Sequence, residues 1–263
     1  MNENQEIILA GLEPEIGRKL LSRREALLRA GKMGLGALSA PLAVSILAKD
    51  AFGQSNQLPG QIVDVLNFAL TLEELEAEFY TLGNRAKNLI PKDTNKVFDT
   101  LQDHEQAHVK LLRSVLGGKA VPKPKFDFTA GGTFADVFTN YQTFLALSQA
   151  FEDTGVRAYK GQATNLMANG QILQTALQIH SVEARHAAMI RRIRGEKEWI
   201  TGNSRGSLPP QAQPIYDGEE NTVQGGIDFK GAGGTPADAA SQTFDEPLTR
   251  AQVLSVVSLF IKS

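Results

Sequence analysis

Four segments of the chain carry apolar residues at intervals of three and four. Apolar positions that recur at i, i+3, i+4 and i+7 predict amphipathic α-helices. The predicted helices cover about residues 61–84, a segment opening at Asp93 and closing at Gly117-Gly118, residues 134–167, and residues 171–194. Asp93 is expected to cap the second helix, because aspartate is a favourable N-cap residue. Asn169-Gly170 separates the last two helices.

The lengths of the connections predict how these helices are arranged. The first two helices and the last two are joined by short connections, whereas residues 119–133 form a long connection between the pairs. One long crossover is a known connectivity of four-helix bundles. We therefore predict an all-α bundle over residues 54–195. Residues 196–263 form a largely irregular extension ending in a helix near Pro247, which is expected to pack on the bundle or on another subunit of a homo-oligomer.

The N-terminal segment has the marks of an export signal. Arg23-Arg24 precede a weakly apolar stretch from Leu35 to Ala48, and Ala51 and Gly53 are small residues suited to a cleavage site. The pattern predicts a twin-arginine-type signal over residues 1–53, the twin-arginine export machinery as a partner, and a periplasmic or otherwise exported protein. Ala26 stands where this signal prefers phenylalanine. The alternative is a basic N-terminal helix of a cytoplasmic protein.

Composition limits the chemistry that the chain can perform. The net charge of −2 argues against a nucleic-acid partner. The chain has no cysteine and four histidines, so a metal ion would be held by carboxylate oxygens and imidazole nitrogens.

The candidate chemistry lies in a pattern that occurs twice. Glu-x-x-His occurs in the second and fourth predicted helices, and residues at i and i+3 share one face of a helix. The first and third helices each add a glutamate followed seven residues later by a tyrosine. Two matched hairpins would bring four carboxylates and two imidazoles together, as in dinuclear carboxylate sites. The predicted ligands are Glu73, Glu105, His108, Glu152, Glu183 and His186.

Charge balance favours two metal ions at this site. Four carboxylates buried without partners would be very costly, whereas two divalent cations would balance their charge. Oxygen-rich ligation with two imidazoles suits two iron or manganese ions, and zinc is an alternative.

Several neighbouring residues have more than one interpretation. Glu76 is the rival of Glu73, and is otherwise an additional ligand or a carboxylate just outside the ligand set. Tyr80 and Tyr159 are expected to donate hydrogen bonds to ligand carboxylates or to serve as redox partners, and packing in the core is the alternative. For His104 and His180, a hydrogen-bonded core histidine is the preferred interpretation, and a ligand is the alternative.

Other charged residues near the pattern are predicted to lie on the surface. Glu74 and Glu78 are expected to be solvated charges. Asp153 and Arg157 are expected to form an i, i+4 pair on the exposed face of the third helix.

Several sequence stretches are similar to those of a known family. LNFALTLEELEAEFY, DHEQAHVKLL, FEDTGVRAYKG, HSVEARHAAMI and TFDEPLTRAQVL resemble the ferritin-like superfamily, in particular the secreted ferritin-like domain family that includes desiccation-related proteins. The resemblance implies a ferritin-like bundle and the ligand roles assigned above. It leaves open a di-metal oxidoreductase, either ferroxidase-like or manganese-catalase-like, that reacts with dioxygen or peroxide. The alternatives are a non-catalytic metal-binding protein and a structural protein of stress protection.

Overall fold

The computed structural model describes residues 58–231 and 235–262, and within them it confirms the all-α fold. The predicted export signal over residues 1–53 lies outside these residues. The four long helices are α1 (Gly60–Arg85), α2 (Asn95–Leu116), α3 (Tyr141–Gln162) and α4 (Gly170–Ile193). No helix in the described ranges is long and apolar enough to cross a membrane.

The four helices form two hairpins joined by the long crossover that was predicted. α1 packs along α2, and α3 packs along α4. A short 3-10 helix, Ala163–Leu166, lies in the turn between α3 and α4. The crossover occupies residues 117–140 and begins with the 3-10 turn Gly117–Lys119.

Two predicted helix starts are wrong. α2 begins at Asn95 rather than at a cap formed by Asp93, because the backbone N–H groups of Thr94 and Asn95 both donate to the carbonyl of Pro91 and form a turn there. α3 begins at Tyr141 rather than near residue 134. Residues 128–139 form successive turns, and the Asn140 side chain caps α3 by accepting a hydrogen bond from the N–H of Gln142 at 3.0 Å.

Two apolar clusters fill the bundle on either side of a polar layer. On α1 the members of one cluster are Ile62, Val65, Leu66, Ala69 and Leu70, and the members of the other are Phe68, Leu72, Leu75, Phe79 and Tyr80. The predicted ligand Glu73 lies close to the junction of the two clusters. The other three helices likewise carry their predicted ligands between buried apolar residues, so the polar layer crosses the middle of the bundle.

The extension is irregular at first and ends in a helix, as predicted. It contains a 3-10 helix at Pro210–Ile215, an antiparallel pair of strands, β1 (Val223–Gln224) and β2 (Ile227–Asp228), and helices α5 (Ala237–Ser241) and α6 (Arg250–Val257). The last helix begins at Arg250, three residues after Pro247, because Thr249 and Gln252 form a capping box that fixes its start.

The end of the extension packs on the bundle of its own chain. Leu248, Val253, Val257 and Phe260 are buried in the core cluster that contains Phe79. At Gly161 the extension approaches the backbone of α3 so closely that a Cβ atom would lie 1.9 Å from the backbone oxygen of Leu248. The backbone N–H of Asp127, in the crossover, donates to Phe260 at 2.8 Å. The extension is therefore an integral part of the fold.

Candidate metal centre

The six predicted ligands come together in the polar layer as two overlapping groups. Within each group the potential ligand atoms all lie within 4.8 Å of one another. Group A consists of Glu73, Glu105, His108 and Glu183, and group B consists of Glu105, Glu152, Glu183 and His186. The four carboxylates are fully buried, with 0% exposure.

Glu105 and Glu183 belong to both groups and face both imidazoles. Oε2 of Glu105 lies 3.0 Å from Nδ1 of His108, and its Oε1 lies 2.8 Å from Nδ1 of His186. Glu183 places Oε1 3.2 Å from His108 Nδ1 and Oε2 3.5 Å from His186 Nδ1. Each shared carboxylate therefore offers one oxygen to each group.

The outer carboxylates complete the two groups. Glu73 Oε2 lies 3.0 Å from His108 Nδ1, and Glu152 Oε2 lies 3.3 Å from His186 Nδ1. Glu73 therefore belongs to group A, whereas Glu76, the alternative to it in the sequence pattern, belongs to neither group.

The donor set fits metal ions because it leaves buried polar atoms without hydrogen bonds. These atoms are Glu105 Oε1, Glu152 Oε2, both carboxylate oxygens of Glu183, and His186 Nδ1. They converge at short distances without the geometry of hydrogen bonds. Such orphaned atoms are rare in protein interiors, and ligation of a cation would satisfy them.

Both tyrosines donate the hydrogen bonds that were expected of them, and they do so across the bundle. Tyr80 on α1 donates to Glu152 Oε1 on α3, and Tyr159 on α3 donates to Glu73 Oε1 on α1, each at 2.5 Å. Each hydroxyl holds one oxygen of an outer carboxylate and leaves the other oxygen directed at an imidazole. The tyrosines therefore orient the two outer carboxylates.

The two remaining histidines have different surroundings. The exposed His104 stacks on the ring of His186. Nδ1 of His104 lies 3.0 Å from Nε2 of His186, so His104 binds the imidazole nitrogen of His186 that does not face the carboxylates. His180 Nδ1 lies 3.0 Å from the backbone oxygen of Val156, which matches the preferred interpretation of a hydrogen-bonded core histidine.

Within the cluster, the titratable groups balance one another's charge. Burial lowers the pKa of His108 and of His186, but the surrounding carboxylates outweigh it and raise both pKa values well above the usual range. Burial would raise the pKa of Glu105 and of Glu183, but the two imidazoles lie so close to both carboxylates that they hold these two pKa values below the ordinary value.

The pKa values of the two outer carboxyls, Glu73 and Glu152, are raised instead. Burial raises the pKa of Glu73 to about 8 despite the nearby His108, and it raises the pKa of Glu152 well above its usual range. Without metal, the shifts therefore favour protonated imidazoles and outer carboxyls and ionised shared carboxylates.

Three charged residues expected on the surface are buried. Glu74 is 2% exposed and forms an ion pair with Arg113. Glu78, by contrast, is partly exposed and lies 2.7 Å from Lys123. Asp153 and Arg157 are also buried, and they are not paired with each other.

The extension provides the partners of Asp153 and Arg157. Asp153 Oδ2 accepts a hydrogen bond from the hydroxyl of Tyr216 and pairs with Arg191, each at 2.5 Å. Arg157 pairs with Glu219 at 2.7 Å and donates to backbone carbonyls of the extension. Sequence periodicity missed these contacts because the side of α3 that carries Asp153 and Arg157 is covered by an irregular segment.

Fold and site together define a class of protein: a four-helix bundle whose core cluster of glutamates and histidines could hold metal ions. A family model described as ferritin-like domain matches residues 61–196, which is more than half of the chain, and the protein belongs to this family. A comparison with curated proteins found no match.

Proposed function

We propose that this protein binds two iron or manganese ions and uses them in two-electron chemistry with dioxygen or peroxide, either oxidising iron or removing the oxidant. The observation that carries the proposal is the position of Glu105 and Glu183, each with one oxygen directed at each group. Two shared carboxylates would hold two cations close together and couple them. The sequence pattern at residues 1–53 supports activity in the periplasm, which fractionation of cells that express the full chain would test.

The protein's own residues have separate tasks in this proposal. Two bound ions would supply two electrons, one from each ion. Tyr80 and Tyr159 fix the outer carboxylates, and His104 fixes the outer nitrogen of His186. The apolar clusters on either side of the layer keep bulk water from the carboxylates, which strengthens their electrostatic attraction for cations.

The test is turnover by protein of defined metal content. Protein loaded anaerobically with Fe²⁺ is mixed with dioxygen, and Mn²⁺-loaded protein is mixed with hydrogen peroxide, while the loss of each oxidant is followed. We expect a rate at least ~10-fold above that of Glu105→Ala, because even indirect partners of metal ligands change activity by 10–100-fold. Equal rates for the two proteins with both oxidants would contradict an oxidoreductase.

The second candidate is a protein in which the metal ions only stabilise the fold, as in structural stress protection. The enclosure of the site favours it, because the four carboxylates are fully buried and the His186 side chain is only 6% exposed. This candidate predicts that chelation lowers the melting temperature while neither oxidant is consumed. Metal-dependent turnover would exclude it.

Metal binding is expected to release protons. The pKa values of both imidazoles and of Glu73 and Glu152 are raised, and these groups must be deprotonated to become ligands, so loading two divalent ions near pH 7 should release protons. Affinity should therefore fall steeply as the pH is lowered. Proton release in weak buffer, measured with an indicator dye during titration with Mn²⁺, checks this result.

Two variants refine the proton count. Glu152→Gln should release about one proton fewer, because it removes one carboxyl that must ionise. Glu78→Gln, whose glutamate pairs with Lys123 outside the cluster, should match the wild type. Binding of two ions without proton release would show that the ions bind elsewhere.

A further inference from the structure

An apolar cavity lies inside the bundle, on one side of the polar layer. All four long helices line it, and its volume is about 30 Å³. Its lining residues are buried except Leu111 on α2 and Thr175 on α4, which are partly exposed. A small molecule would therefore enter the cavity between α2 and α4.

The polar side chains in the lining already have hydrogen-bond partners. The hydroxyls of Tyr159 and Thr175 and the side-chain oxygen of Gln162 all take part in hydrogen bonds with residues outside the lining. The other lining residues are apolar. Because a buried water needs about two to four polar partners, the cavity favours an apolar molecule over water.

The size of the cavity suits a molecule of two heavy atoms. About 10–15 Å³ is the least room that holds one water molecule, so a cavity of about 30 Å³ accommodates two bonded atoms. Dioxygen has this size and forms no strong hydrogen bonds. Hydrogen peroxide also has two heavy atoms, but burying its O–H groups here without partners would be costly. The cavity therefore favours dioxygen over peroxide.

The cavity lies one helical turn from group A. On α1, α2 and α4, a lining residue is four residues away from the group A ligand of the same helix, and residues four apart lie on one helix face. These lining residues are Ala69, Leu112 and Ile179. On α3, Tyr159 lines the cavity and donates its hydroxyl hydrogen bond to Glu73. A molecule in the cavity is therefore adjacent to group A.

We propose that this cavity binds dioxygen and delivers it to the metal pair beside group A. The inference rests on the proposed function and selects dioxygen from its two oxidants. Holding the oxidant next to the ions replaces a bimolecular encounter with a step inside the protein. In the reaction, dioxygen gains one electron from each of two Fe²⁺ ions and two protons from bulk water, and leaves as hydrogen peroxide. Polar molecules do not need the cavity, because the side chain of His108 is itself 12% exposed.

The main experiment detects dioxygen in the cavity by methyl NMR of the full chain loaded with Zn²⁺, which is not redox-active. Dissolved dioxygen is paramagnetic, so it speeds the relaxation of methyl groups close to it. We expect a larger increase for Leu112, Ile172 and Ile179, which line the cavity, than for Leu75 and Leu145, which are similarly buried in the other apolar cluster. Equal increases for the two sets would refute the inference.

A variant that fills the cavity tests delivery. Ala176→Leu adds three carbon atoms to the lining, and leucine is a good helix former. The additional relaxation should be lost. Consumption of dioxygen by iron-loaded protein should slow at least ~10-fold, because even one methylene in an apolar pocket changes discrimination by roughly 10–200-fold. Consumption of hydrogen peroxide under anaerobic conditions should be unchanged.

Two further variants exclude a general disturbance of the core. Ala69→Val narrows the same cavity from α1 and should act in the same direction as Ala176→Leu. Ala212→Leu is the matched control, because Ala212 lines another apolar cavity of about 30 Å³, between α3 and the extension, and no predicted ligand lines that cavity. Filling it should leave both rates unchanged.

The outcomes separate this inference from the proposed function. Wild-type protein that consumes neither oxidant would refute the proposed function, and delivery of dioxygen with it. Consumption of dioxygen at the same rate in wild type and in Ala176→Leu would refute the inference alone. An equal loss of both rates in Ala176→Leu would also refute it, because the cavity would then not discriminate between the oxidants.

Discussion

Replacing Glu183 by alanine is expected to abolish metal binding at both groups. Glu183 directs one oxygen at each imidazole and belongs to both groups, so its loss removes a donor from each. Because indirect partners of ligands change metal affinity by 10–100-fold, loss of a shared ligand should cost at least ~100-fold at each group. Elemental analysis after dialysis, together with calorimetric titration with Mn²⁺, measures the loss.

Glu74→Ala is the matched control for this experiment. Glu74 is also a buried glutamate in a long helix, but its partner is Arg113 and it lies outside both groups. Its removal should leave the metal content at about two ions per folded chain, because it removes no ligand. An unchanged Mn²⁺ affinity in Glu183→Ala would show that the six residues are not the metal site.

Replacing Arg157 by methionine is expected to lower the free energy of unfolding by about 3–5 kcal/mol, the cost of breaking a buried ion pair by removing one partner. Arg157 is 1% exposed and is the largest fully buried side chain among the described residues. Its removal leaves the Glu219 carboxylate and the carbonyls of Ile215, Asp217 and Glu246 without the donor that binds them. Chemical denaturation measures the change.

Two comparisons test the reason for this loss. In the double variant Arg157→Met/Glu219→Leu no unpaired charge remains, so part of the lost stability should return. Lys123→Met breaks the partly exposed pair with Glu78 and should cost less than about 1 kcal/mol. An equally small cost for Arg157→Met would show that the extension is not held by this residue.

The candidate site was the most predictable part of the molecule, because its signal is local. Glu-x-x-His places both side chains on one helix face, and the repeated spacing of glutamate and tyrosine pairs the two hairpins. This repeat also favours Glu73 over Glu76 as the predicted ligand of the first helix. In the structure Glu73 belongs to group A and Glu76 does not. What the sequence could not show was that each tyrosine donates to a glutamate of the opposite hairpin.

The buried charges of α3 could not be predicted, because they depend on contacts distant in sequence. Periodicity identifies the side of α3 that faces the bundle, but it gives no information about an irregular segment covering another side. Tyr216 and Glu219 lie more than 50 residues beyond α3, in a stretch without a periodic pattern. The start of α3 was misplaced for a related reason, since Phe134 and Phe138 pack against the core from turns.

Each hairpin contributes residues that complete the site of the other, and this arrangement has an evolutionary consequence. Group A takes Glu183 from the second hairpin, group B takes Glu105 from the first, and each outer carboxylate is held by the tyrosine of the other hairpin. Neither hairpin alone encodes a complete metal position. A single-hairpin ancestor would have formed this centre only as a dimer, and fusion of two copies would then have placed both halves in one chain.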